Sequence, residues 1–274
     1  MLKAHYPDDY PKTYPKVDYK DFYTLNDGTL RDCIRTMFLA FEIYGDKRYE
    51  QAAFNGGEFI LRAQMPEPQP TWAQQYNHNM EPAWARRFEP ASVTGGESVG
   101  AMQLLVDLWI RTGDRKWIAT LPQAIAWFER SRLPDGQFAR FYELHTNKPL
   151  YFVKDTYEIT YDDSNMPTHY AFKVNSWSGV TRVAETIQKD RDALYAAQNK
   201  TRTAKDWAAR ANELDDDVTK IVAALDAEHR WTKKAEIREQ PEKLVPRDII
   251  PTDTYVRNLR TIAEYLTAST LGAG

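Results

Sequence analysis

Cysteine is almost absent from this sequence: Cys33 is the only one in 274 residues. A single thiol excludes an internal disulfide and a thiolate metal cluster. No apolar run approaches the roughly 18 residues of a membrane span, and the first residues lack the hydrophobic segment of a signal peptide. The net charge is −3, which gives no reason to expect a nucleic-acid partner. An anionic ligand would therefore need cations gathered locally.

Common catalytic signatures are missing as well. The sequence has no Gly-rich phosphate loop, no His-x-Glu-x-x-His zinc motif and no serine nucleophile elbow. None of its five histidines is paired at ligand spacing, and a lone histidine is more often a surface or hydrogen-bonded residue than a catalytic one. They are His5, His78, His145, His169 and His229. Any chemistry must therefore come from other side chains.

What the sequence does contain is a repeated helical pattern. Apolar residues recur at helical spacing over 30–64, with a break at Gly45, and again over 98–112 and 116–130. The turn Gly-Asp-Lys-Arg-Tyr that begins at Gly45 recurs as Gly-Asp-Arg-Lys-Trp at Gly113. This repetition predicts helical hairpins, which are typical of an (α/α) toroid or solenoid.

Shorter elements flank these hairpins. Residues 1–25 contain three prolines that exclude a helix, and Asn26 or Asp27 is the predicted N-cap of the first helix. Residues 138–144, 150–153 and 157–161 have the aromatic character of short strands. The predicted fold class is therefore mainly α: an incomplete (α/α) toroid with a short β-hairpin region around 138–161 and extra C-terminal helices.

The composition changes near residue 178, where aromatic residues become rarer. We predict a toroid region over 1–176 and a C-terminal helical extension over 177–274. Helices are predicted at 180–198, 203–228 and 254–268, with a charged connection over 232–251. The last helix carries one apolar stripe, which indicates that it seeks a partner surface. We expect the extension to pack on the toroid; the alternatives are a separate domain or an oligomer contact.

The long segment 74–98 separates two helices and is polar, aromatic and interrupted by two prolines. Such a loop is usually either functional or disordered, and its aromatic content argues against disorder. We interpret it as an ordered loop that builds a site. The alternative is a loop that only packs over the core.

Arginine stands beside aromatic residues at Arg86 and Arg140, and guanidinium groups bind carboxylates and stack on rings. Aromatic platforms combined with arginine and a few acids suit an acidic sugar polymer. The alternative is that each arginine pairs with a local glutamate and holds a loop. The nearby carboxylates are Asp27, Glu89, Glu97 and Glu143.

Three sets of residues together resemble the family 10 pectate lyases, in the order found in that family and over roughly residues 6–155. The central set is WAQQY, PAWAR, FE and SVTGGES, beginning at residues 72, 82, 88 and 92. The second set is ARFYELHTNKP at 139–149. The third set is YPKTYP at 10–15 followed by YTLND at 23–27.

This resemblance implies an (α/α) toroid with a short β region, and calcium-assisted β-elimination of polygalacturonate that yields unsaturated oligogalacturonides. The proton removed lies at C5, next to a carboxylate, and neutralising that carboxylate lets negative charge develop. The implied cofactor, Ca²⁺, prefers oxygen ligands. The implied partner is an acidic polysaccharide, with no nucleic acid and no membrane, and the protein is expected to be a monomer.

The resemblance also assigns roles to single residues. Arg140 matches the arginine that acts as the Brønsted base, and Asp27 matches an acid that holds calcium. Arg86 matches the arginine that grips a substrate carboxylate. Lys148 and Lys154 match basic positions for flanking sugars. Further substrate-binding positions are expected at Tyr14, Trp72 and Tyr142.

Two differences from the family pattern leave alternatives open. Family members have a further helical hairpin before the Tyr-Pro segment, and the C-terminal 100 or so residues match no family motif. The alternatives are an acidic-polysaccharide-binding relative with weak or no activity, or an (α/α) glycoside hydrolase that uses a carboxylate pair. The family is secreted, so an extracellular or periplasmic location is expected, although this chain shows no signal peptide.

Overall fold

A computed structural model describes residues 2–240 and 243–273. The fold is mainly helical, with 46% of the residues in helices, which confirms the predicted class. The chain divides into two compact units, Met1–Gln198 and Asn199–Gly274. Among the described residues, no helix is both long and apolar enough to cross a membrane.

The first unit contains six α-helices within the described residues. They are α1 (Thr29–Tyr44), α2 (Lys47–Ala63), α3 (Glu97–Thr112), α4 (Leu121–Ser131), α5 (Trp177–Thr186) and α6 (Arg191–Gln198). Helix α3 is the centre of this unit: most of its side chains are buried, and it packs against α1, α2, α5 and α6. The long loop over 74–98 leads directly into α3.

The repeated Gly–Asp turn has the same structure in both copies. Gly45 and Gly113 end α1 and α3 with φ angles of 69° and 74°, a left-handed conformation that favours glycine. Asp46 and Asp114 then accept a backbone N–H from the second residue that follows. The predicted hairpin repeat is thus confirmed at the level of its turns.

Short strands connect and cover the helices. They are β1 (Tyr23–Thr24), β2 (Gln75–Tyr76), β3 (Ser92–Thr94), β4 (Phe138–Ala139), β5 (Phe141–Glu143), β6 (Pro149–Phe152), β7 (Ile159–Thr160) and β8 (Lys173–Val174). Antiparallel pairing gives a four-stranded sheet in the order β3-β5-β6-β7 and the two pairs β1-β2 and β4-β8. The predicted strand region around 138–161 is confirmed. The pairing of β3 with β5 joins the loop that contains Arg86 to the segment that contains Arg140.

Three predicted details are corrected. Neither Asn26 nor Asp27 caps α1: residues 26–28 form a 3-10 turn, and Gly28 holds the cap position without a side-chain hydrogen bond. The helix predicted over 116–130 begins only at Leu121, because Pro122 favours a first-turn position. The helix predicted over 180–198 is interrupted between α5 and α6.

The second unit contains α7 (Ala204–Ala223), β9 (Lys233–Gln240), β10 (Lys243–Ile249) and α8 (Thr252–Gly272). Helices α7 and α8 pack together, and Glu264 of α8 accepts two hydrogen bonds from Arg210 of α7. The charged connection predicted over 232–251 is instead an antiparallel hairpin. Packing of the C-terminal extension on the toroid stays a prediction.

Candidate active site

Arg140 directly follows β4, and two backbone hydrogen bonds fix its position. Its N–H donates to the Phe172 carbonyl, and its own carbonyl accepts the N–H of Gly95. A Cβ atom on Gly95 would lie 2.4 Å from the Ala139 carbonyl oxygen, so only glycine permits this approach. The beginning of α3 and the segment around Arg140 are therefore fixed to each other.

The Arg140 side chain forms an ion pair with Glu97, the first residue of α3. Its Nη1 lies 3.0 Å from Glu97 Oε1, and its Nε donates to the Ala171 carbonyl at 2.6 Å. The Arg140 side chain is 16% exposed and that of Glu97 is 7% exposed. Burial raises the pKa of Glu97, although the positive charge of Arg140 acts in the opposite direction.

Arg86 forms the second arginine–glutamate pair, with Glu89 three residues later. Arg86 Nη2 lies 2.5 Å from Glu89 Oε1, and the Arg86 side chain is 40% exposed. Burial opposes ionisation of Glu89, but the contacts with Arg86 and Gln74 outweigh it and hold the pKa of Glu89 below its usual value. The hydrogen bond that Arg86 donates to Glu89 raises the pKa of Arg86.

Tyr170 links the two pairs. Its ring centre lies 4.7 Å from the guanidinium carbon of Arg140 and 5.6 Å from that of Arg86, distances typical of cation–π contacts. Its hydroxyl donates to Glu89 Oε1 at 3.1 Å. Burial raises the pKa of Tyr170 to about 12, so the phenol is neutral near pH 7. The two arginines therefore belong to one cluster.

Asp27 and Glu97 line the same cavity, which has a volume of about 360 Å³. Burial is the main cause of the raised pKa of Glu97, and the charge of Asp27 adds a small contribution in the same direction. Asp27 has a φ angle of 55°, and Asn26 Nδ2 donates to its Oδ2 at 3.0 Å. The left-handed backbone at Asp27 and Gly28 presents this carboxylate outside the helix.

The oxygen donors in this cavity fit a hard divalent cation in part. Glu97 Oε2 is buried and makes no hydrogen bond among the described residues, and free oxygen atoms are the ligands that calcium prefers. Asn26 Oδ1 is likewise buried without a partner there, but Asn26 does not line the cavity. Within residues 2–240 and 243–273, however, no three His, Cys, Asp or Glu side chains stand together as a metal site. Asp27 and Glu97 would hold calcium only together with oxygens from substrate or solvent.

A model of the pectic acid lyase family matches residues 1–139, about half of the chain. The chain belongs to the pectic acid lyase family. This confirms the family that the sequence motifs indicate. The family match ends one residue before Arg140.

Two solved structures have a similar fold. One is a family 10 polysaccharide lyase from Cellvibrio cellulosa, with 22% identity and a TM-score of 0.55, covering 64% of this chain and 65% of that chain. The other is a mutant of a family 10 polysaccharide lyase from Cellvibrio cellulosa in complex with trigalacturonic acid, with 22% identity and a TM-score of 0.54, covering 64% of this chain and 66% of that one. The chain thus spans slightly less than two-thirds of their length. No curated protein matches the sequence.

The other predicted substrate-binding residues lie in different environments. Trp72 is fully buried and its indole donates to the Ile60 carbonyl. Tyr142 is also buried, with its hydroxyl donating to the Ser131 carbonyl. Neither ring has a face open to a ligand in this structure, so both predictions are corrected to a core role. The half-buried ring of Tyr14 lies 6.2 Å from that of Trp84.

Lys148 and Lys154 are exposed. The Lys148 ammonium lies 5.0 Å from the ring centre of Tyr161, beside a smaller cavity that Lys12, Glu143 and Tyr161 line. Arg140, Arg86 and Asp27, by contrast, belong to the two arginine pairs or to the larger cavity. Neither lysine lines the cavity that contains Asp27 and Glu97.

Sequence reasoning overlooked Tyr170 as a member of the site. No motif contains it, and it lies outside the residues that match the family. The signal available was weak: Tyr170 stands in an aromatic stretch just before β8. Only the pairing of β4 with β8 brings this stretch beside Arg140.

Proposed function

We propose that this chain is a pectate lyase, which cleaves polygalacturonate by calcium-assisted β-elimination and yields unsaturated oligogalacturonides. One observation carries the proposal: Arg140 is paired with Glu97, the carboxylate that lines a cavity together with Asp27. The family match and the complex of a structural neighbour with trigalacturonic acid support the same substrate class. The repeated Gly–Asp turns support the further proposal that the helical hairpins belong to an (α/α) toroid.

In the proposed reaction a neutral Arg140 guanidine accepts the proton from C5 of a galacturonate. The electrons of the C5–H bond form the C4–C5 double bond, the C4–O bond breaks, and the departing oxygen takes a proton from water. Arg86, more exposed than Arg140, binds a substrate carboxylate through the guanidinium nitrogens that Glu89 does not use. Calcium, when bound, supplies positive charge that neutralises the carboxylate next to C5.

Glu97 is the charged partner of Arg140 in this reaction. Its Oε1 lies 3.0 Å from Arg140 Nη1. We propose that the negative charge of Glu97 is offset when Arg140 accepts the proton. The free Oε2 atom of Glu97 gives a bound cation access to that charge.

The direct test is to incubate the purified protein with polygalacturonate in two samples, one with calcium and one with a chelator. The ultraviolet absorbance of the unsaturated product is followed in both. Calcium-dependent absorbance is expected. Reducing ends without absorbance would indicate a glycoside hydrolase, and binding without products would indicate a non-catalytic relative. Secretion to the periplasm or the extracellular space is proposed on the family resemblance alone.

A further inference from the structure

Arg31 lies on the first turn of α1. Its guanidinium group differs from those of Arg86 and Arg140 in its hydrogen-bond partners. The other two guanidinium groups are each bound by a glutamate. Within residues 2–240 and 243–273, the Arg31 side chain makes a single hydrogen bond, and it is long: 3.4 Å from Nε to Asp32 Oδ1. Among the described residues, neither terminal nitrogen of Arg31 has a hydrogen-bond acceptor. Arg31 nevertheless lines the cavity that contains Asp27 and Glu97, with 31% of its side chain exposed.

Gly28 leaves room for this guanidinium, and Gly100 lies beside it. A Cβ atom on Gly28 would lie 2.9 Å from Arg31 Nη2, and a Cβ atom on Gly100 would lie 3.6 Å from Nη1. The guanidinium group of Arg31 therefore lies against glycine backbone, between the beginning of α1 and the first turns of α3. Its position leaves five N–H donors in a planar fork, of which one is used.

The rest of the cavity wall near the beginning of α5 is polar but uncharged. It includes Gln103 from α3 and Asn175, Ser176 and Ser178 from the segment that enters α5. Ser176 occupies the N-cap position of α5, but its side chain makes no capping hydrogen bond. Amide and hydroxyl groups of this kind donate to and accept from sugar hydroxyls.

We propose that Arg31 binds the carboxylate of a uronate ring in this cavity, while Gln103, Asn175 and Ser178 contact the hydroxyl groups of the same ring. The free fork of Arg31 matches a carboxylate bidentately. The identity of the sugar rests on the proposed function. The competing role for Arg31 is to balance the charges of Asp27 and Glu97, which would affect cation binding and not the choice of sugar.

The experiment compares the affinity of trigalacturonate with that of its fully methyl-esterified form, which keeps the shape and loses the charges. Arg31→Gln is expected to weaken trigalacturonate binding at least about 10-fold, because a hydrogen-bonded charge pair is lost, and to leave the ester unaffected. The matched control is Arg35→Gln, one turn later on α1, where the arginine is bound by Asp107 and does not line the cavity. Calorimetric titration with calcium present, in an Arg140→Ala background, keeps the ligand intact.

Ser178→Ala sharpens the test, because losing a neutral hydroxyl should weaken the acid and the ester by the same few-fold factor. An unchanged trigalacturonate affinity in Arg31→Gln would overturn the proposal, as would equal losses in Arg31→Gln and Arg35→Gln. Turnover of the protein without the Arg140→Ala substitution distinguishes the binding role of Arg31 from the proposed lyase activity. Charge-selective binding through Arg31 without unsaturated product would leave this inference standing and defeat the proposed lyase activity.

Discussion

The Arg86–Glu89 and Arg140–Glu97 pairs contain the same chemical groups and contact the same tyrosine, yet their carboxylates are held differently. Glu89 accepts from the side chains of Arg86, Gln74 and Tyr170. Glu97 accepts from Arg140 through one oxygen, and its other oxygen makes no hydrogen bond among the described residues. Accordingly, the pKa of Glu89 is lowered and the pKa of Glu97 is raised.

The difference predicts different roles for the two pairs. A buried carboxylate with all its partners in place stabilises the loop around it. A buried carboxylate with a free oxygen costs stability unless a further group binds it. The carboxylate of the first pair therefore has its partners without a ligand, whereas the carboxylate of the second pair has one free oxygen.

The largest effect is expected from Arg140→Ala, because it removes the proposed base from the Arg140–Glu97 pair. The rate of unsaturated product formation should fall roughly 10²- to 10⁴-fold, the usual contribution of a general base. Circular dichroism should show an intact fold. The control is Arg132→Ala, which removes an arginine stacked on Trp177. Near-normal turnover in Arg140→Ala would refute the base assignment.

Asp27→Ala should weaken calcium binding at least about 10-fold, since one of the two carboxylates that line the cavity is lost. Unfolding stability should change little, because Asp27 makes no helix-capping hydrogen bond. The measurement is a calcium titration of activity beside a thermal melt. A lower melting temperature with an unchanged calcium titration would show that Asp27 is only structural.

Arg86→Ala tests whether the arginine of the Arg86–Glu89 pair binds substrate. The KM for oligogalacturonates should rise about 10-fold, with a smaller change in kcat, because Arg86 is proposed to bind substrate and not to transfer a proton. Arg86→Lys should recover only part of the affinity, since an ammonium lacks the bidentate fork. A fall in kcat alone would place Arg86 in the chemical step.

The two glutamates should differ in their contribution to stability. Glu89→Gln disturbs hydrogen bonds from three side chains and from the Arg86 backbone N–H, and it should lower the free energy of unfolding by about 1–3 kcal/mol. Glu97→Gln should cost less, because it also removes a buried charge that is only partly compensated. Urea unfolding in chelator at neutral pH measures both. Equal losses would mean that the pairs are equivalent.

The smallest effect is a difference in pH dependence. Glu89 has a lowered pKa in the folded protein, so its stabilisation is present above the usual value of 4.5 and disappears as pH falls through the folded pKa. Glu97 has a raised pKa in the folded protein. Its contribution to stability is therefore lost as the pH rises from the usual value of 4.5 through the pKa of Glu97 in the folded protein. Unfolding in chelator between about pH 3 and 7 should show that Glu89→Gln and Glu97→Gln change the slope in opposite directions. Slopes of the same sign would contradict the pKa directions.

Sequence was a good guide where a local rule fixes the structure. The Gly–Asp turns at Gly45 and Gly113 were predictable because a left-handed C-cap and an aspartate N-cap leave a local signature. The hairpin of β9 and β10 was not, because charged residues outnumber its apolar ones and hide the alternation of a strand. Arg86 and Arg140 were identifiable from neighbouring residues.

The partners of those arginines were harder to predict. Tyr170 reaches Arg140 only through the pairing of β8 with β4, a contact between distant parts of the chain. Trp72 and Tyr142 look like sugar platforms in sequence but are core residues. An aromatic side chain beside a polar loop gives no local signal of the direction in which its ring points.

Tyr170 lies in the connection between β7 and β8, beyond the residues by which the family is recognised. Chains could therefore keep every family motif and still differ in the length or sequence of this connection. Such divergence would alter how the two arginines are spaced, and so which carboxylate patterns the proposed site would bind, while leaving family membership intact. For engineering, this connection is the place to vary specificity first.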